Sequence, residues 1–133
     1  MAYAATVTVT DNGSLEQVVT ITETDGAAAS EVALVDSVTG RGVRPGSRLE
    51  RVIATRSAGT ATTRQPRLAV AAAATTGQIR YMVTATAVAT KIDDTDRNTL
   101  PAALGSSSLY HRSQPDAGAD NAMVTTYILS TRA

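Results

Sequence analysis

The chain has 133 residues, a formal net charge of zero and no cysteine. That length suits a single domain spanning 1–133, and neutrality removes any global field drawing it to nucleic acid or to an anionic membrane. The lack of cysteine excludes a disulfide framework, a zinc–thiolate site and a thiol nucleophile.

Residues Met1 to Thr6 have neither the basic nor the apolar stretch of a Sec signal, so synthesis in a cytosol is expected. No apolar run approaches the roughly 18 residues of a membrane-spanning helix, so no membrane partner is expected. Tyr3, Ala5, Val7 and Val9 alternate with Thr6, Thr8 and Thr10, the period of a half-buried strand. Asp11-Asn12-Gly13-Ser14 then favours a tight reversal. Val19 and Ile21 alternate with Thr20, Thr22 and Thr24, completing a hairpin with one apolar and one threonine face.

Residues 27–38 fit either a helix, through Ala28, Val32, Val35 and Val38, or a short strand from Glu31 to Asp36; the flanking glycines favour the strand. Gly40 to Gly46 reads as a loop, and Leu49 to Thr55 as a strand with Leu49 and Ile53 on one face. Ser57 to Pro66 is rich in turn formers. Residues 68–74 fit a buried strand or a short helix. A long strand pattern follows from Ile79 to Thr90, and Lys91 to Ser108 reads as a polar loop. Leu109-Tyr110-His111 is a short strand, Gln114 to Asn121 a loop, and Met123 to Leu129 a final strand. Met123, Tyr127 and Leu129 share one face of that strand, with Val124 and Ile128 opposite. An apolar pattern on both faces implies burial on both sides or cover from a partner. Seven or eight short strands without a repeat predict an all-β, antiparallel sandwich or partly open barrel.

The expected core is thin. The chain holds 24 Ala and 21 Thr but no Phe or Trp and only four Tyr. A buried Ala removes little surface from water, whereas a buried Leu or Phe contributes roughly 1.5–3 kcal/mol. Small domains with thin cores are often rescued by disulfides, metals or oligomerisation, and here oligomerisation or docking is the open route.

Catalytic signals are weak. His111 is the sole histidine, no Gly-x-Ser-x-Gly elbow occurs, and a histidine at a strand end held by local hydrogen bonds is the favoured reading. Asp94-Thr95-Asp96-Arg97-Asn98 begins like a calcium loop, but Thr99 and Gly105 stand where that loop needs glycine and glutamate; a solvated turn is favoured. Gly40-Arg41-Gly42 lacks the lysine and context of a phosphate loop. No enzyme activity and no cofactor are therefore expected.

Charge is segregated: residues 1–40 carry −6, residues 41–91 carry +8 and the remainder −2. The basic stretch holds a single aromatic, Tyr81, which argues against direct nucleic-acid binding. Neighbouring strands could neutralise one another, or a self-complementary surface could join subunits. Arginine suits the second arrangement because its planar fork binds carboxylates in a bidentate way. The candidate interface residues are Arg41, Arg44 and Arg48 with Met123, Tyr127 and Leu129.

The Met-Ala-Tyr-Ala-Ala-Thr-Val-Thr-Val opening, and Leu109 to Ala122 running into the final strand, resemble small virion structural proteins of tailed bacteriophages, of the capsid decoration (cement) kind. The resemblance implies a β-rich, non-enzymatic protein in the virion, made in the host cytoplasm, that forms a homo-oligomer. It implies binding to the major capsid protein and to copies of itself on the outside of a DNA-filled head. Another virion part (tail tube, neck or head fibre) is an alternative, and a small β-sandwich binding module a more remote one.

Overall fold

The computed structural model describes residues 4–24, 31–58, 65–70, 78–82, 91–95, 109–114 and 122–131. Alternation in the opening segment becomes the hairpin of β1 (Ala4–Asp11) and β2 (Glu16–Thr24), in which Val7 faces Ile21 and Val9 faces Val19. Gly13 takes a positive φ of 79° in the connecting turn, a conformation glycine adopts without Cβ strain. The turn is fastened by hydrogen bonds from the Asn12 backbone N–H to the Glu16 carbonyl and from the Asn12 side-chain amide to the Glu16 carboxylate.

Seven further strands follow: β3 (Glu31–Ala33), β4 (Arg48–Ala58), β5 (Gln65–Val70), β6 (Gln78–Met82), β7 (Lys91–Asp94), β8 (Leu109–Gln114) and β9 (Ala122–Ser130). They form a five-stranded sheet, β1-β2-β9-β4-β7, and a four-stranded sheet, β3-β8-β5-β6, with every described pairing antiparallel. Neither sheet closes on itself. The expected all-β antiparallel sandwich is what forms, and no described residue lies in a helix, so none of them builds one long and apolar enough to cross a membrane.

The nine strands exceed the seven or eight expected because Lys91–Asp94, read as loop, pairs with β4. Of the ambiguous stretch 27–38, residues 27–30 lie outside the described residues and residues 31–38 form the three-residue β3 followed by a turn-rich loop; residues 68–70 of the ambiguous 68–74 run are strand. The rest of that run, the pattern beyond Met82 and most of the three turn-rich stretches lie outside the described residues. Leu49 and Ile53 do not share a face. A register shift between Leu49 and Arg51 reverses the alternation, so that Leu49, Val52 and Ala54 are buried and Ile53 is only half-buried.

The core lies between the sheets. Val7, Val9, Val19, Ile21, Leu49, Val52, Tyr127 and Leu129 come from the five-stranded sheet, and Leu68 and Leu109 from the other. Leu34 and Val43 join from the loop after β3, so that loop is anchored at both ends. On the opposite face of the hairpin, Thr6, Thr8, Thr10 and Thr22 are exposed, where β-branched side chains suit a pleated surface.

β9 sits at the centre of the larger sheet, paired with β2 on one side and β4 on the other. Met123, Thr125, Tyr127 and Leu129 all point inward and are fully buried. Removing residues 122–133 would split the five-stranded sheet into two hairpin-sized pieces and expose both seams. The truncated chain is expected to be unfolded; a far-ultraviolet circular dichroism spectrum matching the full chain, with cooperative melting, would contradict this.

Candidate functional site

Two positions in β2 break its apolar face. Gln17 and Glu23 occupy the same side as Val19 and Ile21 and are both buried. A buried polar group needs a partner, and each of these finds one far away in sequence.

Glu23 meets His111. The His111 Nε2 lies 2.9 Å from Glu23 Oε1, and its Nδ1 lies 2.6 Å from the Tyr127 hydroxyl. All three side chains are fully buried, and the imidazole meets the Tyr127 ring edge-on at a centroid distance of 5.5 Å. An ionised Glu23 only accepts, so Nε2 carries a proton towards it. With the imidazole neutral, the Tyr127 hydroxyl donates to Nδ1; with it protonated, Nδ1 donates to the phenol oxygen. Glu23 and Tyr127 each have a further interaction as well. The constellation bridges the two sheets, because His111 belongs to β8 while Glu23 and Tyr127 belong to β2 and β9.

A carboxylate, imidazole and phenol in line have the order of an acid–base relay. Here all three groups are buried from solvent, and their hydrogen bonds tie the sheets together. His111 is not at a strand end with local bonds, as expected. It lies inside β8, and its partners are 16 and 88 residues away.

The second cluster holds the loop between β3 and β4 against the edge of the larger sheet. The Asp36 carboxylate accepts hydrogen bonds from the backbone N–H groups of Val9, Val38 and Thr39, at 2.8, 2.8 and 2.9 Å. These three donors, that of Thr39 first, hold its pKa at about 2, below the ordinary 3.8. Ser37 pairs twice with Val7, through its N–H to the Val7 carbonyl and through its hydroxyl oxygen, which accepts from the Val7 N–H. Gln17 fastens the other end, donating to Asp11 and to the Gly42 carbonyl and accepting from the Arg44 N–H.

Arg41 and Arg44 both pair with Asp11, and Arg44 also donates to the Ser14 carbonyl. Gln17 is the largest influence lowering the Asp11 pKa, followed among the stabilising contacts by these two guanidiniums. Arg51 forms a bidentate pair with Asp93, which raises its own pKa. Three arginines of the basic stretch therefore meet acids of the same chain, Arg41 and Arg44 sharing Asp11 from the first forty residues and Arg51 meeting Asp93. Arg41 and Arg44, expected at a subunit interface, thus have a partner within this chain, and Arg41 stays exposed while paired. Arg48, half-buried at the start of β4, also has a partner.

Met123, Tyr127 and Leu129 need a correction. They are interior residues of this chain and present no surface to another subunit. The strand's other face, with Val124 and Ile128, is half-buried. Among the described residues no group of three His, Asp or Glu side chains could hold a metal ion. Of the calcium-loop candidate, Asp94 ends β7, and Asp96 to Asn98 lie outside the described residues.

The network that sequence reasoning missed had a readable trace. Once the hairpin alternation is accepted, Gln17 and Glu23 must point inward, and each then demands a buried partner. A scan against protein-family models, a search of curated proteins and a search of solved structures each returned no match.

Tyr127→Phe keeps the ring and strips the hydroxyl from His111 Nδ1, so a loss of about 1–3 kcal/mol in urea-derived stability is expected. An unchanged unfolding midpoint would mean the bond contributes nothing. For Asp36, a depressed folded pKa gives stability that is present above 3.8 and lost as pH falls through about 2. Asp36→Asn keeps one acceptor oxygen but turns an amide donor towards the Val9 or the Val38 and Thr39 N–H groups. Its melting temperature should lie below wild type at neutral pH by several degrees, with the gap closing as pH approaches 2. A gap independent of pH would refute the assignment.

Proposed function

We propose that the chain is a non-enzymatic virion structural protein, a decoration or cement protein that binds the outside of a tailed-phage head. It bridges major capsid subunits, alongside copies of itself, and stabilises the shell by added contact area. The observation that carries this reading is where the reactive groups sit. Glu23, His111 and Tyr127 are all fully buried and committed to joining the sheets, so this constellation has no access to a substrate. What the described surface offers instead is a threonine-lined sheet face and a tethered loop, features suited to contact rather than turnover. The resemblance of residues 1–9 and 109–122 to phage decoration proteins points the same way.

The test is reconstitution on heads of the phage that encodes the chain, prepared without it. Co-sedimentation is expected, with electron-microscopy density on the outer shell and greater resistance of the heads to heat. Density at the tail tube, neck or a head fibre would move the protein to that virion part. A chain that never associates with particles would end the proposal.

A further inference from the structure

Asn12-Gly13 carries a chemistry that the fold leaves unused. Of the three asparagines in the chain, Asn12 alone precedes glycine; Asn98 precedes threonine and Asn121 precedes alanine. A following glycine leaves its backbone nitrogen unshielded, because no Cβ stands beside it. That nitrogen can close a succinimide ring on the side-chain carbonyl of the asparagine before it.

The turn between β1 and β2 presents both groups to water. Asn12 and Gly13 are exposed, and no described residue accepts a hydrogen bond from the Gly13 N–H. The place where a Cβ would stand on Gly13 is open, with no atom beyond its chain neighbours within 4 Å. Among the described residues, the Asn12 side-chain amide is held only by its 2.7 Å hydrogen bond to the Glu16 carboxylate, and that bond lies in solvent. Water replaces such a bond at little net cost. Glycine is also what the turn requires, since a φ of 79° strains any L side chain. The residue that permits the reversal is the one that makes the amide before it labile.

We propose that Asn12 is a site of spontaneous deamidation in the folded chain, with water as the co-reactant, and that its conversion unfastens the β1–β2 turn. The Gly13 nitrogen gives up its proton to solvent and attacks Cγ of Asn12. A bond forms between the Gly13 nitrogen and Cγ, the Cγ–Nδ2 bond breaks, and the amide nitrogen takes up a proton and leaves as ammonia. Water then opens the succinimide. Cleavage between the Gly13 nitrogen and Cγ gives aspartate, and cleavage between that nitrogen and the main-chain carbonyl carbon gives isoaspartate. Nothing is oxidised or reduced.

Either product alters the turn. An ionised carboxylate only accepts, so residue 12 no longer donates to Glu16, and repulsion between two carboxylates replaces the hydrogen bond. Isoaspartate also routes the main chain through Cβ and Cγ, which adds a methylene to the turn that the Asn12 N–H closes on the Glu16 carbonyl. The strand pairing begins beside this turn, with Asp11 opposite Gln17 and their side chains bonded to each other. The hairpin therefore loosens from its tip. This chemistry stands whether or not the chain belongs to a virion.

The experiment incubates the full, folded chain in mildly alkaline buffer at physiological temperature and follows its peptides by mass spectrometry over days. The peptide holding residue 12 should gain the mass difference between an amide and a carboxylic acid and separate into aspartate and isoaspartate forms. Peptides holding Asn98 and Asn121 should keep their amides over the same period. The rate at residue 12 should lie within about tenfold of that of the same chain unfolded in urea. Gly13→Ala should slow conversion in both conditions, because a Cβ then shields the nitrogen, and the comparison in urea holds even where this variant does not fold. Asn12→Asp should melt below fresh wild type, and aged wild type should move towards it. An amide at residue 12 that persists in the folded chain while converting in urea overturns the site. Conversion that leaves the melting temperature unchanged overturns the unfastening of the turn.

Discussion

The hydrogen bond between Tyr127 and His111 crosses from one sheet to the other, and the bond from His111 to Glu23 crosses back. Elsewhere the described core is built mainly from Val, Ile and Leu, side chains that fill space without direction. Such residues tolerate small slides of one sheet over the other, whereas oriented polar groups do not. If β2 slipped by one residue, Glu23 would turn to the outer face and leave His111 with a buried, unmatched nitrogen. The network thus penalises the wrong alignments of the sandwich more than it rewards the right one.

The same rule governs the sheet edge. β1 has a neighbour only on its β2 side, so its outer N–H and C=O groups need other partners. Ser37 and Asp36 supply them, standing in for part of a missing strand. Gln17, reaching from the interior to the Gly42 carbonyl and the Arg44 N–H, does the same for the far end of the loop. The irregular backbone of this loop is thereby tied by hydrogen bonds to the sheet it borders.

Which parts were legible follows from the reach of each signal. Alternation of Val7, Val9, Val19 and Ile21 with threonines is local, and the hairpin follows from it directly. The reversal after Leu49 is a single extra residue in β4 with no compositional mark, so Ile53 is placed on the wrong face by simple counting. Lys91-Ile92-Asp93-Asp94 has the composition of a loop, yet charged residues are well suited to an edge strand, where they discourage pairing with another chain. Met123, Tyr127 and Leu129 were readable as buried, but alternation cannot say whether the cover comes from the same chain or another. His111 was noticed for its chemistry; its partner Glu23, 88 residues earlier, leaves no trace near it. Arg41 and Arg44 face the same difficulty, since the carboxylate they meet lies about thirty residues upstream.

The central place of β9 also bears on how the molecule is made. β2 and β4 are not neighbours; each waits for a strand that appears more than sixty residues after β4 has ended, and Glu16 finds its register opposite Ser130. During synthesis the β1–β2 hairpin can form early, but its seam stays open until β9 emerges from the ribosome. Closing so long a loop places folding among the slow, topology-limited cases, on a scale of roughly milliseconds to seconds. For that interval the apolar faces of β2 and β4 are exposed together, within reach of each other's counterparts on neighbouring nascent chains. A protein produced in many copies at once would then depend on its threonine-rich strands and charged edges to stay apart until the last strand arrives.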